Sequence, residues 1–286
     1  MPKNWIITGT SRGFGRIFAE AALERRDRVA ATARDTGSIT DLVERFGDNV
    51  LPLALDVTDR SAAFAAVQAA HERFGRLDVV VNNAGYGLFG AVEEISEDEA
   101  RRQIETNLLG ALWVTQAALP ILREQGFGHL IQVSSEGGVY AYPGFGLYHA
   151  SKWGLEGFTE SLAREVGPLG IGVTMVEPGP YRTDFAGGSL ARAGAIPAYD
   201  HVRSEIEQAF GAPGVVGDPE ATGPAILEVV DADEPPRRVF FGATPLRRVR
   251  DDYESRLATW EQWDELSQRA HGGGSSGPGS RLGTTR

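Results

Sequence analysis

Short, nearly continuous apolar runs alternate with amphipathic stretches along most of the chain. A short uninterrupted apolar run is typical of a parallel strand buried on both faces, and an amphipathic stretch is typical of a helix that covers such a sheet. The predicted strands are residues 5–8, 28–33, 50–55, 77–82, 129–134, 173–177 and 238–241. The predicted helices are residues 14–24, 39–46, 60–74, 97–123, 147–166 and 219–230. This alternation predicts an α/β fold with one doubly wound parallel sheet of the Rossmann type, in a single domain covering residues 1–245.

The alternation breaks between residues 181 and 217, where Gly, Ala and Pro are frequent and a short helix is predicted near residues 200–210. A long excursion beyond the carboxyl end of a strand is often a substrate lid, and a passive surface loop is the alternative. Residues 246–271 are predicted to form a charged helical extension, and residues 272–286 are Gly- and Ser-rich and are expected to be disordered. Apolar residues recur at helical spacing in the extension and are expected to be packing residues: Leu257, Trp260, Trp263 and Leu266.

The composition excludes several classes of function. The 286 residues carry a net charge of −11, which argues against binding to nucleic acid or anionic membranes, since both need basic patches. No cysteine is present, and the five histidines are scattered, so we expect no disulfide, no cysteine nucleophile and no metal site. No apolar run reaches membrane-spanning length, and the first strand begins too early to leave room for a signal peptide. We therefore expect a cytoplasmic protein.

Tyr148 and Lys152 are one helical turn apart in the predicted helix 147–166, so their side chains share one face. A free tyrosine has a pKa near ~10 and is almost fully protonated at neutral pH. A fixed cation beside the phenol favours the phenolate, and lowering the pKa by roughly three units corresponds to about 4 kcal/mol. Such a pair is a general acid/base for carbonyl and alcohol chemistry. Taken alone, however, the spacing is more often a solvated helix face.

A glycine-rich segment, residues 8–15, joins the first predicted strand to the first predicted helix. Glycines permit a tight turn and a close approach of the backbone to a pyrophosphate, whose charge then meets the helix N-terminus. The position between a strand and a helix makes a dinucleotide site the expected function of this segment. The residues expected to contact the dinucleotide are Gly9, Ser11, Arg12, Gly13, Phe14 and Gly15.

The end of the second predicted strand bears on the choice of cofactor. An NAD site usually places an acidic residue there to bind the ribose hydroxyls, but this strand ends with Ala33 followed by Arg34. Arg34 and Arg12 suit a 2′-phosphate, because a guanidinium can donate two hydrogen bonds to phosphate oxygens. Asp35 weakens this argument slightly, since it could pair with Arg34. We expect NADP(H) to be preferred, with NAD(H) as the alternative.

Taken together, these residues resemble the short-chain dehydrogenase/reductase family, classical type. Its Thr-Gly-x-x-x-Gly-x-Gly pattern matches residues 8–15, its Asn-Asn-Ala-Gly pattern matches residues 82–85, and its Pro-Gly-x-x-x-Thr pattern matches residues 178–183. Ser135 precedes Tyr148 by thirteen positions, the usual family spacing. The resemblance covers about residues 3–242. Each motif follows a predicted strand and so lies at the carboxyl edge of the sheet, where open α/β folds bind ligands.

The resemblance implies roles for individual residues. Tyr148 exchanges a proton with the substrate oxygen, Ser135 donates a hydrogen bond to the developing alkoxide, Lys152 lowers the tyrosine pKa and binds the nicotinamide ribose, and Asn107 holds a water that connects Lys152 to solvent. The catalytic residues implied are thus Asn107, Ser135, Tyr148 and Lys152. Further cofactor-binding residues implied are Asp56, Val57, Asn83, Ala84, Gly85, Pro178, Gly179 and Thr183, together with Tyr148 and Lys152.

Three further residues near the expected site, Phe14, Glu136 and His149, require an interpretation of their own. Phe14 is bulkier than the branched aliphatic residue usual in the family, and Glu136 beside the catalytic serine is either solvated or shapes substrate preference. His149 is expected to be a bystander, since it points about 100° away from Tyr148 around the helix. Aromatic and aliphatic residues could line an apolar substrate pocket: Tyr142, Phe145, Leu147, Tyr181 and Phe185.

We therefore interpret the sequence as an NADP(H)-preferring oxidoreductase that interconverts a hydrophobic ketone or aldehyde and its alcohol. The resemblance implies a homodimer or homotetramer formed through the long helices that contain Asn107 and Tyr148. The alternatives are a catalytically silent regulator of the same fold that senses nucleotides, and an epimerase or dehydratase of the extended relatives. The regulator is disfavoured because all four catalytic positions are present, and the second alternative because its relatives usually differ in glycine spacing.

Overall fold

A computed structural model describes residues 2–183, 188–211 and 215–272. Nine strands follow one another along these residues: β1 (Asn4–Ile7), β2 (Arg28–Ala33), β3 (Val50–Ala54), β4 (Val79–Asn82), β5 (Gly87–Phe89), β6 (Gly128–Val133), β7 (Ile171–Pro178), β8 (Leu190–Arg192) and β9 (Arg238–Phe241). Seven of them form one parallel sheet in the order β3-β2-β1-β4-β6-β7-β9, and β5 pairs with β8 in a second, parallel sheet. The predicted doubly wound parallel α/β sheet is confirmed.

The helices of the described residues lie between and beyond these strands. They are α1 (Gly13–Glu24), α2 (Thr40–Phe46), α3 (Arg60–Phe74), α4 (Glu97–Ile104), α5 (Gly110–Gln125), α6 (Gly146–Val166), α7 (Asp200–Gly211), α8 (Thr222–Asp231), α9 (Pro245–Gln262) and α10 (Asp264–Ala270). Local chemistry fixes some of their ends: Asp59 caps α3, and Gly75 ends it with a left-handed φ of 79°. A capping box starts α4, since Ser96 N donates to Glu99 Oε2 at 2.9 Å.

Two apolar cores lie on opposite faces of the sheet. Side chains alternate along each strand, so Trp5 and Ile7 pack with α1 residues such as Phe18 on one face. Ile6 points to the other face and packs with α3 residues such as Val67. All three side chains of this strand are fully buried, which explains the uninterrupted apolar sequence of the inner strands.

The edge strands differ from the prediction of continuous burial. In β3, burial alternates along the strand, and only Val50 of its five residues is buried. Pro52 sits in this strand because an edge leaves one row of backbone donors unused. At the other edge, only Phe241 of β9 is buried. An edge strand has a neighbouring strand on one side only and is therefore less buried than an inner strand. The sequences of β3 and β9 do not alternate strictly between apolar and polar residues, so they gave no indication of this exposure.

The residues predicted as one helix, 97–123, are helical throughout, but the helix is not a regular α-helix. Helix α4 ends at Ile104, a turn of π-helix covers Glu105–Leu109, and α5 begins at Gly110. The wider turn pushes one extra residue into the helix and places Asn107 inside the molecule, where it is 1% exposed. Single π-turns of this kind are frequent at functional sites.

The region predicted as a substrate lid, residues 181–217, contains β8 and α7, and part of it lies outside the described residues. Glu94, which lies outside this region, anchors the described part of the region through hydrogen bonds. The buried Glu94 carboxylate accepts from Ile196 N at 2.7 Å and from Arg203 Nη1 at 2.8 Å. These bonds hold the pKa of Glu94 down to about 2. The charge that anchors this segment is therefore present throughout the physiological pH range.

The chain divides into two compact units, Met1–Leu246 and Arg247–Arg286. The predicted helical extension is interrupted at Trp263, between α9 and α10. The expected packing role of its apolar residues is wrong for this chain taken by itself: Leu257, Trp260, Trp263 and Leu266 are between 47% and 65% exposed. An apolar helix stripe is buried only when an opposing surface covers it. Of the tail predicted to be disordered, residues 273–286 lie outside the described residues.

Within residues 2–183, 188–211 and 215–272, no helix combines the length and the apolar character needed to cross a bilayer.

Candidate active site

The loops that follow β1, β4, β6 and β7 meet at the carboxyl edge of the sheet. The strand order reverses between β1 and β4, so a crevice opens where their two loops diverge. The glycine-rich segment follows β1, and residues 83–85 follow β4. Ser135 follows β6, and Gly179 follows β7. The topology therefore brings together motifs that are far apart in the sequence.

Two glycines of the segment after β1 are required by close approaches of the backbone. Gly9 has a φ of +73°, which side chains rarely adopt, and a Cβ there would lie 3.1 Å from Ala84 Cα. A Cβ on Gly15 would lie 2.3 Å from Asn83 Nδ2 and 2.4 Å from Gly9 O. Helix α1 begins with no side-chain cap and no acidic residue in its first turn. Its first N–H groups can therefore bind an anion, so a pyrophosphate fits here.

Asn83 holds the glycine-rich segment in shape. Its Nδ2 donates to Thr8 O at 2.8 Å and to Gly9 O at 3.1 Å. In return, the Thr8 hydroxyl accepts from Asn83 N and from Ala84 N, both at 2.9 Å. The glycine-rich pattern by itself indicates no role for Thr8. These bonds make Thr8 and Asn83 a clamp between the loops after β1 and β4.

The residues at the end of β2 lie beside this segment. Arg34 is exposed, whereas Ala33 is buried in the sheet. Asp35, which could have paired with Arg34, is engaged by its own loop: its Oδ1 accepts from Gly37 N at 2.9 Å and caps the next turn. Arg12 is the extended residue before α1. Arg34 thus lies exposed just after β2, the position at which the sequence predicts a 2′-phosphate.

Other predicted cofactor residues form the rim of the crevice. Asp56 turns its carboxylate towards its own loop, where it accepts from Thr58 N at 3.0 Å, and Val57 is buried. Gly85 adjoins Asn107, since a Cβ on it would lie 3.1 Å from Asn107 Oδ1. Beyond β7, Gly179 N donates to Phe241 O at 2.9 Å, which fixes the Pro178-Gly179 corner. Of the remaining residues, Ser11 lies in the loop after β1, Gly13 begins α1, and Thr183 lies beyond β7.

Tyr148, Ser135 and Lys152 converge at the carboxyl end of β6. Tyr148 and Lys152 are both buried on α6, with the Lys152 Nζ 6.0 Å from the centre of the tyrosine ring. The Ser135 hydroxyl forms a hydrogen bond with the Tyr148 phenol and also accepts from Gly137 N at 3.0 Å. Lys152 Nζ donates to Val133 O at 2.8 Å, which draws the ammonium to the end of the strand.

The pKa of Tyr148 differs from the prediction. Burial raises it to about 12, the bond to Ser135 opposes this rise, and the charge of Glu136 adds to it. Burial of the phenol thus outweighs the expected lowering by Lys152, whose ammonium is held at Val133 O and whose own pKa is lowered by burial to about 8. The phenol is therefore a protonated group at neutral pH, ready to donate.

Asn107 bridges the π-turn, the loop after β4 and α6. Its Oδ1 accepts from Tyr86 N at 3.1 Å, and its Nδ2 donates to Tyr86 O at 3.0 Å and to Ser151 Oγ at 3.1 Å. The side chain thus positions the helix that carries Tyr148 and Lys152. A role in holding water stays a prediction.

His149 has a structural role that the sequence interpretation missed. Its Nε2 accepts from Tyr142 N at 3.2 Å, so the proton lies on Nδ1, which donates to Gly137 O at 2.9 Å. Burial lowers the pKa of His149 and keeps the ring neutral. The ring ties the segment between Ser135 and Tyr142 to α6. The only signal for this in the sequence is that His149 directly follows Tyr148.

Glu136 is buried, at 2% exposure, so the interpretation of a solvated acid is wrong. A carboxylate beside Ser135 and Tyr148 adds negative potential to the site, which favours the protonated phenol. Phe14 also has a packing role: its ring lies 5.2 Å from that of Tyr181 and 6.0 Å from that of Phe18. The bulk of Phe14 therefore fills space between α1 and the segment beyond β7.

Aromatic side chains gather next to the phenol. Phe89, Phe145 and Tyr148 form a buried cluster, against which Tyr142, Leu190 and Ile206 pack. Of the five residues considered for an apolar pocket, Tyr142 and Phe145 belong to this cluster, and Leu147 is half-buried on α6. Tyr181 packs instead against the opposite core, near Phe14. Phe185 lies outside the described residues.

Over the ranges that the structure describes, no three histidine or acidic side chains are grouped so that they could hold a metal ion.

A protein-family model described as short chain dehydrogenase matches residues 3–193. The chain belongs to the short-chain dehydrogenase family. It is therefore an oxidoreductase that works between alcohol and carbonyl groups, with a nicotinamide cofactor.

Relatives in this family cover nearly the whole chain. An oxidoreductase of Botryotinia fuckeliana, BOA17, is 43% identical over 270 residues, which are 93% of this chain and 98% of that protein. The crystal structure of a short-chain dehydrogenase from Streptomyces avermitilis has a TM-score of 0.87 and 38% identity, and covers 94% of this chain and 98% of its own. An alcohol dehydrogenase from Thermococcus sibiricus, solved with 5-hydroxy-NADP, has a TM-score of 0.70 and 27% identity, covering 86% and 98%.

Proposed function

We propose that this short-chain dehydrogenase is an NADP(H)-preferring enzyme that interconverts a hydrophobic ketone or aldehyde and its alcohol, with Tyr148 as the general acid/base. The observation that carries the proposal is the convergence of the Tyr148 phenol, the Ser135 hydroxyl and the Lys152 ammonium at the carboxyl end of β6. These groups are the acid, the hydrogen-bond donor and the fixed cation that reduction of a carbonyl requires.

In the direction of reduction, Tyr148 donates its proton to the carbonyl oxygen. The pKa of about 12 keeps this proton on the phenol at neutral pH until negative charge develops on the neighbouring oxygen. Ser135 donates a hydrogen bond to the same oxygen, and Lys152 supplies positive charge behind the phenol. The nicotinamide, when bound, supplies or takes up the hydride. In the reverse direction Tyr148 accepts the proton of the alcohol.

The preference for NADP(H) rests on Arg34. Its guanidinium is exposed at the carboxyl end of β2, and Asp35 is engaged by Gly37 N. A buried Ala33 precedes it, so the position carries no carboxylate that would repel a phosphate. A guanidinium in this place can donate two hydrogen bonds to a phosphate, whereas ribose hydroxyls gain little from it.

The preference for an apolar substrate rests on the aromatic cluster beside the phenol. Phe145 packs edge-on against Tyr148, with ring centres 6.0 Å apart, and Phe89 packs against Phe145 at 5.3 Å. Rings in this position exclude water from the reacting oxygen and offer an apolar surface to the rest of the substrate. The lid predicted for residues 181–217 contributes Leu190 and Ile206 to the same cluster.

We further propose a homodimer or homotetramer in the cytoplasm, assembled through α5 and α6. A groove runs along these helices, lined by apolar and polar side chains that include Leu112, Leu119 and Phe158. A groove of this mixed character along two long helices is suited to a second copy related by a two-fold axis. Sedimentation equilibrium at several protein concentrations measures the number of subunits.

The test of the proposed reaction is consumption of NADPH, and separately of NADH, with aliphatic, aromatic and polycyclic ketones and aldehydes. We expect turnover that increases with the apolar area of the substrate and is faster with NADPH. Saturable binding of both cofactors without turnover of any carbonyl would contradict the proposal and favour a nucleotide-sensing regulator.

A further inference from the structure

Helix α6 carries a third charged group in line with the catalytic pair. Tyr148, Lys152 and Glu156 follow one another at intervals of four residues, so their side chains lie along one face of the helix. All three are almost fully buried, at 5%, 6% and 5% exposure. A buried carboxylate is costly unless cations or donors surround it, so the position of Glu156 needs an explanation.

Arg238 of β9 fixes the carboxylate of Glu156 in place. Its Nη1 contacts Glu156 Oε2 and lies 2.9 Å from Oε1 of Glu177, which is buried on β7. Its Nη2 lies 2.9 Å from Oε2 of Glu160, which is 29% exposed one turn beyond Glu156. Arg237 contacts Glu160 as well, at 3.1 Å. One guanidinium therefore holds two buried carboxylates, and the second arginine serves only the outer one.

Glu156, Glu160, Glu177, Arg237 and Arg238 form a charged cluster. This cluster lies directly behind the segment that carries Ser135. A Cβ on Gly138 would be 2.6 Å from Ser134 Oγ and 2.9 Å from Glu156 Cγ, so only glycine lets this segment approach the cluster so closely. On the other side, Glu177 directly precedes the Pro178-Gly179 corner. The Glu156 carboxylate is thus enclosed between the loop after β6 and the end of β7.

Burial removes the hydration of the Lys152 ammonium and lowers its pKa, and the negative charge of Glu156 opposes this loss. Without that carboxylate, the lysine would give up its proton nearer to neutral pH and could no longer supply positive charge behind Tyr148. The other charged groups of the surroundings are Glu136 on the loop after β6, Glu160 on α6, Glu177 on β7, and Arg237 and Arg238 on β9.

We propose that Glu156 is a positioning residue for the reaction. Its carboxylate lies one helical turn beyond Lys152, is held in place by Arg238, and keeps that lysine an ammonium at neutral pH. This inference rests on the function proposed for the Tyr148–Lys152 pair. Burial raises the pKa of Glu177 to about 7 and also raises that of Glu156, while Arg238 opposes both rises. The cluster therefore carries most negative charge above neutral pH, which is the range in which Lys152 would otherwise lose its proton.

The chain contains only two lysines, Lys3 and Lys152, which makes a direct measurement possible. In a Lys3→Arg background, lysine labelled with carbon-13 at Cε reports Lys152 alone, and the pH dependence of its NMR shift gives its titration midpoint. Glu156→Gln keeps the size and removes the charge. We expect the midpoint to fall by about one pH unit, and the alkaline limb of carbonyl reduction to move to lower pH by a similar amount.

Glu160→Gln is the matched control, since it removes the same charge from the same helix and from the same arginine, one turn farther out. We expect the Lys152 midpoint of this variant to stay within about 0.3 of the unmodified value, since a partly solvated charge one turn farther away is screened. If Glu156→Gln does not fold, Glu156→Leu removes the same charge with similar volume and has the same expected shift.

An unchanged Lys152 midpoint in Glu156→Gln, or equal shifts in Glu156→Gln and Glu160→Gln, would overturn the proposal. The NMR titration needs neither substrate nor turnover. Its result is therefore independent of whether the proposed carbonyl reduction is observed.

Discussion

The side-chain amide of Asn107 donates a hydrogen bond to the Ser151 hydroxyl across 3.1 Å, and this bond joins a turn of π-helix to the helix that carries Tyr148 and Lys152. Ser151 Oγ in turn donates to Tyr148 O at 2.7 Å. The chain of bonds runs from the loop after β4 to the backbone of the proposed acid. The geometry of the active site therefore depends on a contact between residues 44 positions apart.

Replacing Asn107 with alanine removes this contact and the two bonds to the Tyr86 backbone. We expect the free energy of unfolding to fall by about 1–3 kcal/mol, because buried polar groups lose their partners. We also expect kcat to fall more than KM rises, since the change displaces the acid and not the substrate. Urea denaturation and steady-state kinetics check both, with the exposed Glu105→Ala in the same π-turn as the control. Equal stability of the two variants would show that the bonds are dispensable.

Replacing Arg34 with aspartate changes the charge that faces the ribose of the cofactor. A lost charge-assisted hydrogen bond is worth about 1.5–3 kcal/mol, so KM for NADPH should rise by about tenfold or more. KM for NADH should change by no more than about threefold, because it lacks the phosphate. Arg123→Asp alters the net charge equally at an exposed position on α5 and should affect neither cofactor. Equal losses for both cofactors would remove the argument for a 2′-phosphate.

Replacing Gly15 with alanine inserts a Cβ between Asn83 Nδ2 and Gly9 O, at 2.3 and 2.4 Å. The clamp between the loops after β1 and β4 must then open, so we expect weaker cofactor binding and a lower melting temperature. Gly157→Ala is the control: its Cβ meets nothing within 4 Å, and alanine favours the helix by up to about 1 kcal/mol. Isothermal titration calorimetry and thermal melting measure both effects. Undiminished cofactor affinity in Gly15→Ala would contradict the assigned loop geometry.

His129 gives the protein a predictable loss of stability in acid. Its pKa is lowered to about 4 by burial, and its Nε2 donates to Thr174 Oγ1 at 2.8 Å, since that hydroxyl donates to Pro236 O. The unfolded chain binds a proton at this histidine below about pH 6.5, while the folded chain does not until about pH 4. Between these values the free energy of unfolding should fall by up to about 3 kcal/mol from this group.

His129→Gln keeps a donor for Thr174 and removes the titration. Urea denaturation of both proteins between pH 7 and pH 4 is the measurement. We expect the stability difference between the original protein and the variant to shift steadily in favour of the variant as the pH falls. Parallel stability curves would mean that His129 titrates normally in the folded protein.

The sequence predicted the sheet because its inner strands are buried on both faces, so that Ile6 and Ile7 are equally apolar although they face opposite cores. It did not predict β5 and β8, since strands of three residues carry too few positions to show a period. It did not predict the π-turn either. That turn is held by the bonds of Asn107 to Tyr86 and Ser151, and a local pattern carries no record of such distant partners.

The site residues could be named from motifs, but their electrostatics could not. Lys152 was expected to lower the pKa of Tyr148, whereas the structure turns its ammonium to Val133 O and leaves burial as the dominant influence. The sequence alone indicates no role for Glu156, because a glutamate on a charged helix face is common. Its significance depends on Arg238, which lies 82 positions away and approaches it only in the folded sheet.

The account depends most directly on the Tyr148 phenol as the acid in carbonyl reduction. The decisive measurement is the rate of NADPH consumption with the best carbonyl substrate for the original protein and for Tyr148→Phe, with cofactor binding measured in parallel. The half-buried Tyr140→Phe, eight positions upstream, is the matched control. We predict that the rate falls by about 10²–10⁴-fold in Tyr148→Phe alone, with cofactor affinity preserved. A Tyr148→Phe enzyme that keeps the rate of the Tyr140→Phe control would contradict the account.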